Sequence, residues 1–179
     1  MRILKENTAA IIIDVQERLL PHMHNKELVR NLSILIEGLK ALDIPIVVSE
    51  QYTKGLGPTV DEIGGLLKGF ENIEKMSFSC CDEPKIQEQI DHIDKEWIIV
   101  TGIESHICVL QTVIDLIDHG YVPVVIEDCI SSRKENDKKI AIERMKKEGA
   151  IISTYESILF ELCRYAGNEP FKKISKLIK

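Results

Sequence analysis

The run WIIVTGIESHICVLQT, Trp97 to Thr112, decides the fold. Its first part is apolar and rich in β-branched residues, which suits a strand buried on both faces. Gly102 ends that run. A short polar stretch follows, then Cys108, then apolar residues at helical spacing up to Gly120, a usual helix terminator. The run is a strand handing over directly to a helix over 105–119.

The same unit recurs along the chain. Residues 8–15, 44–50, 70–74, 122–128 and 150–155 are expected as strands. Helices are expected over 26–42, 60–68, 83–92 and 136–148, with two shorter ones at the C-terminal end; Thr59 is the candidate cap for the second. In the first helix Leu28, Leu32, Leu35, Leu39 and Leu42 fall at three- and four-residue spacing. Alternation of this kind means an α/β protein, a parallel sheet with helices on both faces. With no internal repeat or linker tract, residues 1–179 are expected to form one domain.

The net charge of −6 speaks against a nucleic-acid or anionic-membrane partner. No apolar run reaches the roughly 20 residues that a bilayer span needs, and the N-terminal stretch lacks a signal-peptide core. The five cysteines are odd in number and contain no CxxC. They fit reduced thiols in the cytoplasm better than a disulfide framework or a zinc ribbon.

In a parallel α/β sheet, ligands bind outside the carboxyl ends of the strands. That rule selects Asp14, Ser49, Glu50, Glu74, Lys75, Glu104 to Cys108, Asp128 and Cys129. Among these, Cys108 lies in the expected first turn of a helix, where free N–H groups and the helix dipole favour a thiolate and can hold an oxyanion. The plain alternative is a packed thiol between helix and sheet. An acid, an ammonium and a thiol at one sheet edge are able to share a proton and activate a nucleophile.

Three segments carry a resemblance. GIESHICVLQT, AAIIIDVQ and IEKMSFSCC resemble the segments that supply Cys, Asp and Lys in the isochorismatase-like cysteine hydrolases. VVSEQYTKGLGPTVDEI resembles the isochorismatase domain-containing subgroup. The resemblance runs over nearly the whole chain. It implies a three-layer α/β/α fold with a six-stranded parallel sheet in the order 3-2-1-4-5-6. It also implies a catalytic triad of Asp14, Lys75 and Cys108, a non-proline cis peptide between Ile103 and Glu104, and an oxyanion hole from the backbone N–H groups of Ile107 and Cys108.

Gln16, Glu50, Tyr52, Ser105 and His106 flank these positions and are candidates for substrate binding, with loop or capping roles as their rivals. Metal-binding members of the family carry an Asp-x-His after the second strand. SEQYTKGLGPT has no histidine, so no metal and no other cofactor is expected; the His22–His24 pair, by its spacing alone, is a weaker metal candidate. The expected activity is hydrolysis of a small amide or related C–N substrate through a thioester, with vinyl ether cleavage as the lesser possibility. The family also implies a homo-oligomer. The rival reading is a catalytically silent member that acts as an interaction protein. A dinucleotide-binding protein is discounted, because DVQERLL and not GxGxxG follows the first strand.

Overall fold

The central strands are apolar at every position, and that alone requires cover on both sides. In the computed structural model, which describes residues 2–179, strand β1 (Thr8–Ile13) is buried along its whole length. Helix α1 (Leu28–Ala41) follows, then β2 (Ile46–Gln51), a short α2 (Thr53–Leu56), α3 (Asp61–Leu66) and β3 (Asn72–Lys75). The second half runs α4 (Pro84–Ile93), β4 (Trp97–Ile103), α5 (Leu110–Asp118), β5 (Val122–Ser131), α6 (Glu135–Glu148), β6 (Ile151–Ser153), α7 (Tyr155–Cys163) and α8 (Glu169–Leu177). The six strands form one parallel sheet in the order β3-β2-β1-β4-β5-β6.

Alternate residues of β1 feed two separate cores. Ala10 and Ile12 pack with Leu32, Leu35 and Leu39 of α1 and with Ile158 and Leu159 of α7. Ala9, Ile11 and Ile13 pack with Ile86 and Ile90 of α4, Val113 and Leu116 of α5, and Met145 of α6. Among the described residues, no helix is long and apolar enough to cross a membrane.

Three local details depart from the sequence reading. The 105–119 helix begins as a π-helical turn over Ser105–Val109 and becomes α-helical only at Leu110. Strand β5 runs past Asp128 and Cys129 to Ser131, with an irregularity where β4 advances from Val100 to Gly102 while β5 advances from Val125 to Ile130. Thr59 does not cap α3, whose cap position is Val60; its hydroxyl is committed to Glu50 instead.

The order 3-2-1-4-5-6 puts β1 between β2 and β4 at the centre of the sheet. The carboxyl ends of β1, β2, β3 and β4 therefore lie along one edge. Gly102 makes the closest approach possible there. Its φ is 113°, and a Cβ on it would run into the backbone of Ile13. Only glycine lets β4 press against the end of β1, where Asp14 leaves the sheet.

Candidate active site

Asp14 follows β1 in the left-handed region, with φ 53°, a conformation that aspartate tolerates better than most residues. It is fully buried. Its Oδ2 accepts from Lys75 Nζ at 2.8 Å, and its Oδ1 accepts from Ser49 Oγ at 2.7 Å. The backbone N–H of Asp14 also donates to the Ser49 carbonyl, at 3.1 Å. A buried carboxylate needs this kind of pairing, because an isolated one is very costly.

Lys75, the last residue of β3, is equally buried. Its ammonium donates to Asp14 Oδ2, to Gln51 Oε1 at 2.8 Å, and to the carbonyls of Ser77 at 3.1 Å and Phe78 at 3.0 Å. Burial alone works to lower its pKa and is the largest single influence. The negative charge of Asp14, helped by the nearby Cys80 and Cys108, outweighs it and raises the pKa above the usual lysine range. Lys75 is thus held as a cation.

Cys108 is 6% exposed. Its thiol is pushed far above the ordinary cysteine range, first by burial and then by the charge of Asp14, with Lys75 opposing. This corrects the expectation that a helix N-terminus lowers the thiol pKa. The residue sits in a π-helical turn, and an anionic Asp14 beside it holds the proton on sulfur. The three residues are brought together as an acid, a cation and a protonated thiol.

The Ile103–Glu104 peptide is cis. The carbonyl of Glu104 accepts from the N–H groups of Ile107 at 3.1 Å and Val109 at 3.2 Å. The Ile107 amide is therefore already engaged, and an oxyanion role for it requires giving up that bond.

The flanking candidates divide. Gln16 is fully buried; its Oε1 accepts from Gln51 N–H at 2.7 Å, and its Nε2 donates to the carbonyls of Gln51 at 2.9 Å and Gly57 at 2.6 Å. Glu50 Oε1 accepts from Thr59 N–H at 2.7 Å, Thr59 Oγ1 at 2.6 Å and Asn72 Nδ2 at 2.9 Å. Gln16 thus ties Gln51 to Gly57, and Glu50 Oε1 ties Thr59 to Asn72, so these polar atoms hold the segment that follows β2. Tyr52 is partly exposed, with φ 37°. His106 turns to other partners: Nδ1 lies 2.9 Å from Ser132 Oγ and Nε2 lies 3.7 Å from Glu104 Oε2. Ser105 is fully buried, and its hydroxyl has no hydrogen-bond partner among the described residues. His22 and His24, the weaker metal candidate, lie on the surface on either side of buried Met23, with His24 Nε2 3.7 Å from Glu135.

Sequence reasoning gave no role to Ser49, Gln51 or Arg133. Arg133 Nε donates to Glu104 Oε1 at 2.6 Å. Ser49 had a usable signal, since it ends an apolar strand beside β1 and pairs in register with Ile13, the residue before Asp14.

The family model described as the isochorismatase domain matches residues 8–157. The chain belongs to the isochorismatase family. Its relatives include isochorismatase family protein 1B of Dictyostelium discoideum, 37% identical, with 99% of this chain and 89% of that protein covered. Among solved structures, the MAR1 ribonuclease of Caenorhabditis elegans superposes with a TM-score of 0.93 at 34% identity, covering 99% of this chain and 92% of that one. The YcaC gene product of Escherichia coli, described as an octameric hydrolase of unknown specificity, superposes with a TM-score of 0.94 at 21% identity, covering 99% and 89%. At that identity the likeness concerns the isochorismatase-like fold alone.

Proposed function

We propose that this isochorismatase-family chain is a cysteine hydrolase of a small amide or related C–N substrate, with Asp14, Lys75 and Cys108 as its catalytic residues. The observation that carries the reading is the fully buried Asp14–Lys75 ion pair beside a protonated Cys108. A charge pair hidden from water contributes little net stability, whereas a base and a cation beside a thiol are what nucleophilic catalysis needs.

The proton moves from Cys108 to Asp14 as sulfur attacks the substrate carbonyl carbon. The carbonyl π electrons pass to oxygen, where the Cys108 N–H, joined by Ile107 N–H once it leaves Glu104, stabilises the charge. Collapse of the intermediate breaks the C–N bond, and Asp14 returns the proton to the departing nitrogen. Water then gives a proton to Asp14 and attacks the thioester. The C–S bond breaks, and sulfur regains its proton from Asp14. Lys75 stays charged throughout and keeps the carboxylate in place. Ser105, with an uncommitted buried hydroxyl, is the side chain best suited to bind the substrate near this edge.

The same reading places the protein in the cytoplasm, where its five free thiols persist, and makes it a homo-oligomer. Exposed Tyr52, Met76 and Phe78 beside the β3 edge are the apolar surface that supports association, and light scattering is its measurement. The ribonuclease name of the nematode relative gives a second substrate class, but the buried thiol and acidic chain favour a small amide over RNA.

The test is a panel of small primary amides, with intact-mass detection of acyl adducts on Cys108 and amine release as the turnover signal. Cys108→Ala is expected to abolish both. Full turnover by Cys108→Ala on any substrate of the wild type overturns the covalent route.

A further inference from the structure

We infer that Ser49 is a positioning residue for Asp14 and that the buried thiol of Cys80 sets the direction of its hydroxyl. The inference rests on the Asp14–Lys75–Cys108 reading above. Asp14 presents two oxygens. Lys75 occupies Oδ2, and the Ser49 hydroxyl occupies Oδ1 at 2.7 Å. Strand pairing makes this contact obligatory: Ser49 lies opposite Ile13, and its carbonyl takes the Asp14 N–H. Both the backbone and the side chain of Ser49 therefore hold Asp14.

A serine hydroxyl has one proton to give and two lone pairs. Here the proton goes to Asp14, and Cys80 Sγ lies 3.5 Å from the same oxygen as donor. Burial, followed by the charge of Asp14, pushes the Cys80 thiol up to about 11, so it stays protonated and able to donate. Cys80 is itself fixed, since its N–H donates to Thr112 Oγ1 at 2.9 Å. Thr112 belongs to α5, one turn beyond Cys108. Thr112, Cys80, Ser49 and Asp14 are all fully buried. They link the helix that follows the nucleophile to the base it must meet.

A hydrogen bond to a carboxylate favours its charged form. The Ser49 hydroxyl thus keeps the shared proton on Cys108 until a substrate draws the sulfur forward. Without it, the proton shifts toward Asp14 and the thiolate becomes more populated. The titration belongs to the pair and not to either group alone, and its signature is a displaced pH profile of thiol reactivity.

The experiment is the rate of iodoacetamide alkylation at Cys108 against pH, located by peptide mass spectrometry, in wild type, Ser49→Ala, Ser49→Thr, Ser49→Cys and Asp14→Asn. Ser49→Ala is expected to move the acid limb up by about one pH unit and raise the plateau about tenfold, since one pKa unit is a factor of ten. Ser49→Thr restores the wild-type limb, and Ser49→Cys, a weaker donor of similar shape, falls between. An unmoved limb in Ser49→Ala overturns the inference. So does a rate increase that is equal at every pH, which marks loosened packing alone. If Ser49→Ala does not fold, Ser49→Cys is read on the same criterion. Should Asp14→Asn leave the Cys108 profile unchanged, the triad reading falls and this inference with it. Should Asp14→Asn change the profile while Ser49→Ala does not, only the role of Ser49 falls.

Discussion

Replacing Lys75 with methionine tests how the site is held. Methionine keeps the length of the side chain and removes the ammonium. Four acceptors then lose their donor: Asp14 Oδ2, Gln51 Oε1 and the carbonyls of Ser77 and Phe78. The largest cost is Asp14, left as a buried charge with Ser49 as its remaining side-chain donor. Breaking a buried pair from one side costs about 3–5 kcal/mol. For a chain of this size, about 2–4 °C of Tm per kcal/mol gives a drop of roughly 6–20 °C. The assay is urea unfolding, with Asp14→Asn and the Asp14→Asn/Lys75→Met double variant completing a cycle.

Removing both charges leaves no unpaired buried charge, although Gln51 Oε1 and the Ser77 and Phe78 carbonyls still lack their donor, so the double variant is expected to be more stable than Lys75→Met alone. The pH dependence has a definite sign. Lys75 has a raised pKa in the folded state. Its stabilisation is full below the unfolded lysine value of about 10.4 and is lost as pH rises from there through the folded value. Wild type should therefore lose stability on the alkaline side, and Lys75→Met should flatten that limb. A cost below about 1 kcal/mol, as for an exposed pair, or a double variant as unstable as the sum of the singles, would refute the reasoning.

Gly102→Ala forces a Cβ into the Ile13 backbone at positive φ; a loss of about 2–5 kcal/mol is expected by urea unfolding, together with slowed Cys108 alkylation at neutral pH. Gln16→Ala removes three hydrogen bonds, two with the Gln51 backbone at the end of β2 and one with Gly57 in the 52–59 loop, and should cost about 1–3 kcal/mol and speed proteolytic cleavage within Tyr52–Thr59. Cys81, pushed up to about 12 by burial first and then by Cys80 and Asp115, should be labelled by iodoacetamide only slowly at pH 8, with a rate that climbs steeply above pH 11. RNA incubated with the protein is expected to remain intact by gel analysis.

Much of the fold is legible from two periodicities. Strands apolar at every position and helices with a leucine stripe leave few arrangements other than a covered parallel sheet, and the loops at its carboxyl edge then select Asp14, Lys75 and Cys108. The features that stay hidden depend on direction more than on position. Gln16 and Glu50 stand beside the site in sequence, yet their polar ends turn to Gln51 and Gly57 and to Thr59 and Asn72 respectively. The acidity of Cys108 is misleading in sequence because a helix start argues for a thiolate, while burial first and then the proximity of Asp14, set by strand order, argue for a thiol. Ser49 is selected as a strand-end residue, but a lone serine there carries no pattern that assigns it a role; its meaning comes from register with Ile13.

The π-helical turn at Ser105–Val109 carries an implication for length changes. A π turn holds about one residue more than an α turn. Shortening this segment by a single residue would let the helix wind as α from its start, rotating the remainder of α5 by about 100° and swinging the sulfur off the axis of the carboxylate. Among homologues and engineered variants, this turn should therefore accept side-chain exchanges and reject deletions. Insertions and gaps are then expected to gather in the 52–59 loop or after α6, where chain length does not set the bearing of a reacting atom.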